Sequence, residues 1–231
     1  MNNTTGIISL ENADITQNNN IVLQNISFKI NRGEFLYLIG NTGSGKSSLL
    51  RTLYAEIRNT SGKVKLDKFN IESIHKKQIP FLRRKIGIVF QDFKLLSDRN
   101  LEDNLIFVLK ATGWQDKVKI KNRVKEVLQD VYLQGMEHKM PHELSGGEQQ
   151  RAAIGRSLLN HPNIILADEP TGNLDPNKSE AIIQLLKNIN TKGTTILIAT
   201  HDYNIIKKFP ARTLKCEEKN IIEIDSKDLR V

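Results

Sequence analysis

Phe35-Leu-Tyr-Leu-Ile-Gly-Asn-Thr-Gly-Ser-Gly-Lys-Ser47 is a continuous apolar run that stops at a glycine-rich loop. Phe35 to Ile39 reads as a strand with both faces buried, the pattern of a parallel sheet. The loop, Gly40-Asn41-Thr42-Gly43-Ser44-Gly45-Lys46-Ser47, fits G-x-x-x-x-G-K-[ST] and lies between that strand and a predicted helix, the context the motif requires. Glycines let the backbone curl until successive N–H groups point inward, at the positive end of the following helix. Such a loop cradles phosphates: Lys46 is placed to reach the terminal ones, the Ser47 hydroxyl to ligate Mg²⁺, and Ser48 completes the binding set. An ordinary glycine turn requires neither the strand before it nor the helix after it.

Outward from this point the same texture recurs. Ile86 to Phe90, Ile164 to Ala167 and Ile196 to Ala199 are further short apolar runs and read as parallel strands. Between the last two, Ile182, Leu185, Leu186 and Ile189 mark one face of a helix that opens near Pro176. Strand, helix, strand implies a right-handed crossover. Ile26, Phe28 and Ile30 alternate with polar residues, as in a half-buried strand, and Asn18-Asn19-Asn20 reads as a turn. From Asp92 to Asn160 strand signals vanish, and Leu101–Ala111 and Lys117–Val131 look helical. The expected fold is α/β: a parallel-sheet core over about 1–91 and 161–231, with an N-terminal antiparallel part and a helical subdomain inserted at about 92–160. A small antiparallel hairpin through Ile221 to Ile224 is expected near the end.

Composition narrows the class. The net charge of +8 suits an anionic partner such as nucleotide, nucleic acid or a membrane surface. Cys216 is the single cysteine, so no internal disulfide forms and a reducing compartment is expected. Met1 to Gly6 is polar and uncharged, unlike a secretory signal, and no apolar run approaches the ~18 residues that cross a bilayer. The expectation is a soluble, cytoplasmic chain whose membrane role, if it has one, comes through a partner.

The strand Asn163-Ile-Ile-Leu-Ala-Asp-Glu169 ends in paired carboxylates. In a parallel-sheet protein with a phosphate loop, Asp168 is placed to hold Mg²⁺ and Glu169 to orient and polarise an attacking water. Ser145-Gly-Gly-Glu148 opens a predicted helix and fits a capping box, while its hydroxyl and bare N–H groups can also meet an anion. Taken in order, Gly40–Ser47, Gln91, Leu144-Ser-Gly-Gly-Glu148, Ala167-Asp-Glu169, Gly172-Asn-Leu-Asp175 and His201 resemble the motifs of the ATP-binding-cassette (ABC) family over nearly the whole chain.

The resemblance implies a homodimer, closed head to tail on two ATP molecules. Each nucleotide would lie between Lys46 and its loop on one chain and Ser145, Gly146, Gly147 and Glu148 of the other. It implies that Gln91 touches the Mg²⁺ and water side of the site, that His201 contacts the γ-phosphate, and that Asp175 braces the facing chain. One departure stands out: no Phe, Tyr or Trp precedes Phe28, and Thr16 occupies the place of the usual adenine-stacking ring. Phe90-Gln91-Asp92-Phe93-Lys94-Leu95-Leu96 resembles the cell-division branch of the family, with lipoprotein-release and macrolide-export ATPases the alternative. That branch implies an integral membrane subunit, peripheral attachment at the cytoplasmic face of the inner membrane, and signalling to cell-wall hydrolases. Phe93, Leu95 and Leu96 serve either as core or as the partner's groove. Lys117, Lys119, Lys121, Arg123 and Lys125 spread around a helix, so a solvated or membrane-facing surface is expected there and no nucleic-acid groove. A binding-only role is disfavoured because Lys46, Asp168, Glu169 and His201 are all present.

Overall fold

The computed structural model describes residues 6–225, so the reading of Met1 to Thr5 and the end of the expected core at 226–231 lie outside the described residues. β1 (Gly6–Gln17) and β2 (Asn20–Asn31) form an antiparallel hairpin. Its turn residues Asn18 and Asn19 have φ of 49° and 63°. Two consecutive left-handed residues give the type I′ geometry that matches strand twist, and asparagine is one of the few side chains that tolerate it. Asn20 is already in the ladder, paired with Gln17.

The chain continues through β3 (Phe35–Ile39), α1 (Lys46–Leu53), β4 (Asn59–Leu66), β5 (Phe69–Asn70), α2 (Ile79–Arg83) and β6 (Ile86–Val89). Three helices follow with no strand between them: α3 (Leu101–Ala111), α4 (Lys117–Asp130) and α5 (Gly146–Leu158). The remainder is β7 (Ile164–Asp168), α6 (Pro176–Thr191), β8 (Thr195–Ala199), α7 (Tyr203–Lys208), β9 (Arg212–Glu217) and β10 (Asn220–Ile224). One sheet is antiparallel, in the order β2-β1-β4-β5; the other runs β10-β9-β3-β8-β7-β6 and is parallel except at β10. The β9–β10 pair is the expected terminal hairpin.

The continuous apolar runs have a simple cause. Leu36 and Leu38 of β3, Ile164 and Leu166 of β7, and Leu197 of β8 face α1 and the antiparallel sheet. Their neighbours Tyr37, Ile39, Ile165, Ala167, Ile196 and Ile198 face the helices α3 to α6. With both faces covered, period-two alternation leaves no place for a polar side chain. α6 begins at Pro176 after the N-cap Asp175, and its four predicted apolar residues are all buried. No helix among the described residues is long and apolar enough to cross a membrane.

The basic run on α4 departs from expectation at one residue. Lys117, Lys119, Lys121 and Lys125 are exposed, but Arg123 is buried with Ile120, Val124 and Val127. Its Nε donates to Leu159 O at 3.0 Å and its Nη2 to Leu158 O at 2.5 Å, while Nη1 pairs with Glu126 at 2.8 Å. The guanidinium therefore satisfies carbonyls that the end of α5 leaves without helical partners. Hydrogen bonds to charged groups are each worth about 1.5–3 kcal/mol. Arg123→Met, which keeps the stem and loses both bonds, is expected to lower unfolding stability by about 3 kcal/mol or more in a denaturant titration. A Lys121→Met control on the exposed face should change it by less than about 0.5 kcal/mol.

Candidate nucleotide-binding and catalytic site

The parallel register brings three strand ends to one edge. Leu38 pairs with Ala199, and Asp168 with the same Ala199, so the segments after Ile39, Asp168 and Ala199 leave the sheet side by side. After Ile39 the backbone turns through left-handed glycines: Gly40, Gly43 and Gly45 have φ of 146°, 81° and 102°. At Gly40 a side chain is excluded twice, because a Cβ would lie 2.5 Å from Cys216 O and 2.6 Å from Ser44 Oγ. Cys216 is thus the wall behind the loop, and burial pushes its thiol up to about 12.

Lys46 is buried and folds back over the loop, its Nζ donating to Gly40 O at 2.7 Å and Asn41 O at 3.2 Å. The charge is held at the mouth of the loop by two carbonyls that phosphate oxygens can replace. Ser44 Oγ is buried with no hydrogen-bond partner, a polar atom left for a ligand. Ser48 is turned away: its hydroxyl donates to Gln17 Oε1 at 2.6 Å and ties α1 to the end of β1. Thr16, at that end, pairs with the exposed Ile21, so no ring is presented there for a base.

Ser47 Oγ donates to Asp168 Oδ1 at 3.1 Å. This hydroxyl and carboxylate are hard oxygen donors of the kind Mg²⁺ takes beside substrate phosphates. Among the described residues no group of three or more His, Cys, Asp or Glu can hold a metal. The pair therefore fits a cation that arrives with phosphates and does not fit a protein-caged one. Burial holds the Asp168 carboxyl above the usual carboxylate range, against the Ser47 hydrogen bond, with Glu169 pushing the same way as burial.

Glu169 has φ of 48°, unusual for a non-glycine residue, and is fixed by Glu169 N to Ala199 O at 2.9 Å and by Gly172 N to its own carbonyl at 3.1 Å. His201 Nδ1 is 2.8 Å from Glu169 Oε1. A cleft of about 500 Å³ beside this pair is lined by Thr171, Leu174, His201 and Tyr203 among others, and by no residue of the phosphate loop.

Gln91 follows β6, and its amide is paired with Asn173: Nε2 to Oδ1 at 3.4 Å, and Asn173 Nδ2 to Gln91 O at 3.1 Å. The structure thus brings Ser47 to Asp168 and Glu169 to His201, and sets Gln91 against the loop before α6. Ser145 caps α5, with Ser145 N to Glu148 Oε2 at 2.7 Å and Glu148 N to Ser145 Oγ at 3.4 Å, the expected capping box. Asp175 caps α6 and pairs with Lys178 Nζ at 2.7 Å. A Cβ on Gly146 would touch Leu174 at 3.3 Å, and one on Gly147 would touch Lys178 at 3.2 Å. No hydrogen bond among the described residues joins 144–148 to the phosphate loop. Two partners escaped the sequence reading. Arg156 donates to Phe93 O at 2.8 Å and to Lys94 O, and buried Asn104 bonds Leu96, Arg99 and Asn100. Each meets backbone carbonyls, which leave no mark in a sequence.

The family model for the ABC transporter domain matches residues 23–172, more than half of the chain. The cell division ATP-binding protein FtsE of Streptococcus pneumoniae is 43% identical over 213 residues, 91% of each chain. That of Mycobacterium tuberculosis is 47% identical over 193 residues, 84% of each chain, and that of Escherichia coli 40% over 199 residues, 86% of this chain and 89% of the relative. Among solved structures, the dimeric ATP-binding cassette MJ0796 in a post-hydrolysis state bound to ADP and Pi matches with a TM-score of 0.83 and 32% identity, over 96% of this chain and 100% of that one. The cbiO1 subunit of the ABC transporter complex cbiONQ from Clostridium perfringens matches with a TM-score of 0.88 and 30% identity, over 96% and 90%. The chain belongs to the ABC transporter family, as an ATPase cassette. Within that family it is similar to the cell-division ATP-binding proteins.

Because burial raises the Asp168 pKa, its ionised form is disfavoured in the folded chain. The penalty is absent below the unfolded value of about 3.9, grows as pH rises through the folded value, and is complete above it. The nucleotide-free Asp168→Asn variant is therefore expected to melt higher than the parent chain at pH 7. The difference in Tm should narrow as the pH falls toward about 4.

Proposed function

We propose that this ABC ATPase hydrolyses Mg-ATP to ADP and phosphate as a head-to-tail homodimer, driving an FtsX-like integral membrane subunit at the cytoplasmic face of the inner membrane. In this reading ATP-driven closure signals across the membrane and activates cell-wall hydrolases during cell division. One observation carries the chemistry: the ladder sets the Ser47–Asp168 pair and the Glu169–His201 pair on adjoining residues of one sheet edge.

The steps follow from those positions. Lys46 exchanges its two loop carbonyls for β- and γ-phosphate oxygens, while N–H groups of residues 40–48 and the unpartnered Ser44 hydroxyl line the same anion. Ser47 and Asp168 would hold Mg²⁺, which would supply neutralising charge to the phosphates. Glu169 orients a water for in-line attack and accepts its proton as the water oxygen bonds to the γ-phosphorus. The bond from that phosphorus to the β–γ bridging oxygen breaks, and ADP leaves. His201 keeps the Glu169 carboxylate in place and hydrogen-bonds the γ-phosphate; it is not the principal base. Gln91 joins the Mg²⁺ and water side after leaving Asn173. The second copy supplies Ser145, Gly146, Gly147 and Glu148 to the γ-phosphate, with Asp175 bracing the facing loop. Family resemblance supports these roles, and so does the dimeric form of the similar cassette MJ0796.

Glu169→Gln is expected to bind Mg-ATP normally, to hydrolyse it about 10²–10⁴-fold more slowly, and to accumulate a dimer in light scattering. Full turnover in that variant removes Glu169 as the base. Ser145→Arg, which places a bulky cation at the expected seam, should keep single-chain nucleotide binding and lose the ATP-dependent dimer. An unaltered dimer rules out the head-to-tail arrangement.

A further inference from the structure

Two stretches carry five Lys and Arg each with no carboxylate between them: 117–125 on α4, and the stretch before β6. Between Glu72 and Asp92 the chain has no carboxylate side chain, while His75, Lys76, Lys77, Arg83, Arg84 and Lys85 fall in that interval. Arg83 is committed to the fold, donating to Tyr54 O and Ala55 O. Lys76, Lys77 and Lys85 are exposed, Arg84 is half-buried, and none of the four forms an ion pair among the described residues. In their midst Phe81, on α2, is 58% exposed, although Leu82 beside it is fully buried.

Two hollows adjoin this stretch, and neither has a carboxylate in its lining. One, of about 650 Å³, is lined by Arg58, His75, Lys76, Lys77 and Gln78. The other, of about 340 Å³, gathers Lys68, Phe69, Phe81, Arg84, Lys85 and Trp114. The Trp114 ring is anchored there by its Nε1–H to Asn160 Oδ1 at 3.1 Å. Unpaired cations around one exposed ring, Phe81, with the half-buried rings of Phe69 and Trp114 behind it, suit the headgroup boundary of an acidic bilayer, where rings sit at the interface and each Lys or Arg contributes about fivefold in binding. A nucleic-acid strand wants free ring faces for its bases. Here Arg84 already stands over Phe81 at 5.4 Å and Lys68 over Phe69 at 5.7 Å. α4 carries four exposed lysines but pairs them with Val118 as its exposed apolar residue and with no exposed ring, so it matches in charge and differs in chemistry.

We infer that α2 and the segment leading into it form a surface that binds an anionic lipid bilayer directly, with Phe81 entering the interface between basic headgroup contacts. The inference does not rest on the ATPase reading, and it requires no membrane subunit.

The test is sedimentation of the full chain with phosphatidylcholine vesicles containing about one third phosphatidylglycerol, against phosphatidylcholine alone. Binding is expected only to the acidic vesicles, weakening as salt shortens the screening length. Lys76→Gln/Lys77→Gln/Arg84→Gln should weaken it about a hundredfold and Phe81→Ser about tenfold. Lys117→Gln/Lys119→Gln/Lys121→Gln removes the same charge from α4 and should cost less than about fivefold. Unchanged melting and ATP turnover in each variant exclude misfolding. Failure to bind acidic vesicles overturns the inference, as does equal loss in the two triple variants. Displacement by inorganic phosphate at constant ionic strength, or tighter binding to single-stranded DNA than to vesicles, overturns it in favour of those ligands. An inactive chain that still binds acidic vesicles through Phe81 would sink the ATPase reading and leave this one standing.

Discussion

The parallel ladder of β3, β8 and β7 is the constraint on which the site depends. Both faces of these strands are buried, so their register is specified from two sides at once. A one-residue slip of β3 would exchange Tyr37 and Ile39 with Leu36 and Leu38, putting a large ring into the wrong core. With register held this firmly, the segments after Ile39, Asp168 and Ala199 have no freedom at their roots. The phosphate loop, the paired carboxylates and His201 meet because the ladder ends there. Nothing in the loops themselves needs to hold them together beyond the 3.1 Å bond of Ser47 to Asp168 and the 2.8 Å contact of His201 with Glu169.

That same double burial is why so much was legible in the sequence. A strand covered on both faces must be an unbroken apolar run, and Phe35–Ile39, Ile164–Ala167 and Ile196–Ala199 are such runs. β4 and β5 were not seen, because a strand covered on one face alternates and is easily interrupted. β1 shows why: Asn12 has φ of 47° in its middle, and its register with β2 shifts between Leu10 and Ala13. Bulges of this kind break the period that sequence reading relies on. Spacing from the lysines alone does not set Arg123 apart from them. Measured against Ile120, Val124 and Val127 it lies in the buried stripe of α4. Of the site, the residues inside linear motifs were legible. The pairs Ser48–Gln17 and Gln91–Asn173 join residues far apart in the chain, where only the fold supplies the neighbour.

The half of the site that opens α5 is built differently. Ser145, Glu148 and Asp175 are all satisfied locally, as the caps of α5 and α6. A helix start that is already capped is stable without a ligand, so a single chain bears no cost for presenting it. A Cβ at Gly146 or Gly147 would stand only 3.3 Å from Leu174 and 3.2 Å from Lys178, so the start of α5 packs closely against the start of α6.

Besides the shared core, the helical segment meets the sheet edge through the chain that follows β6. Arg156, on α5, holds the carbonyls of Phe93 and Lys94, two left-handed residues just past Gln91. Asn104, on α3, holds the next turn through Leu96, Arg99 and Asn100. The segment from Gln91 to Asn100 is thus fastened to the helices along its length, but to the sheet edge only at its start, where Gln91 meets Asn173. Two bonds make that tie: Gln91 Nε2 to Asn173 Oδ1 at 3.4 Å, through a side-chain amide able to turn, and Asn173 Nδ2 to the Gln91 backbone carbonyl at 3.1 Å. In the proposed reading, a ligand that took the place of Asn173 at the Gln91 side chain would leave the bonds of Arg156 and Asn104 to this segment intact, so a change at the sheet edge is relayed to α5 and α3 through backbone carbonyls.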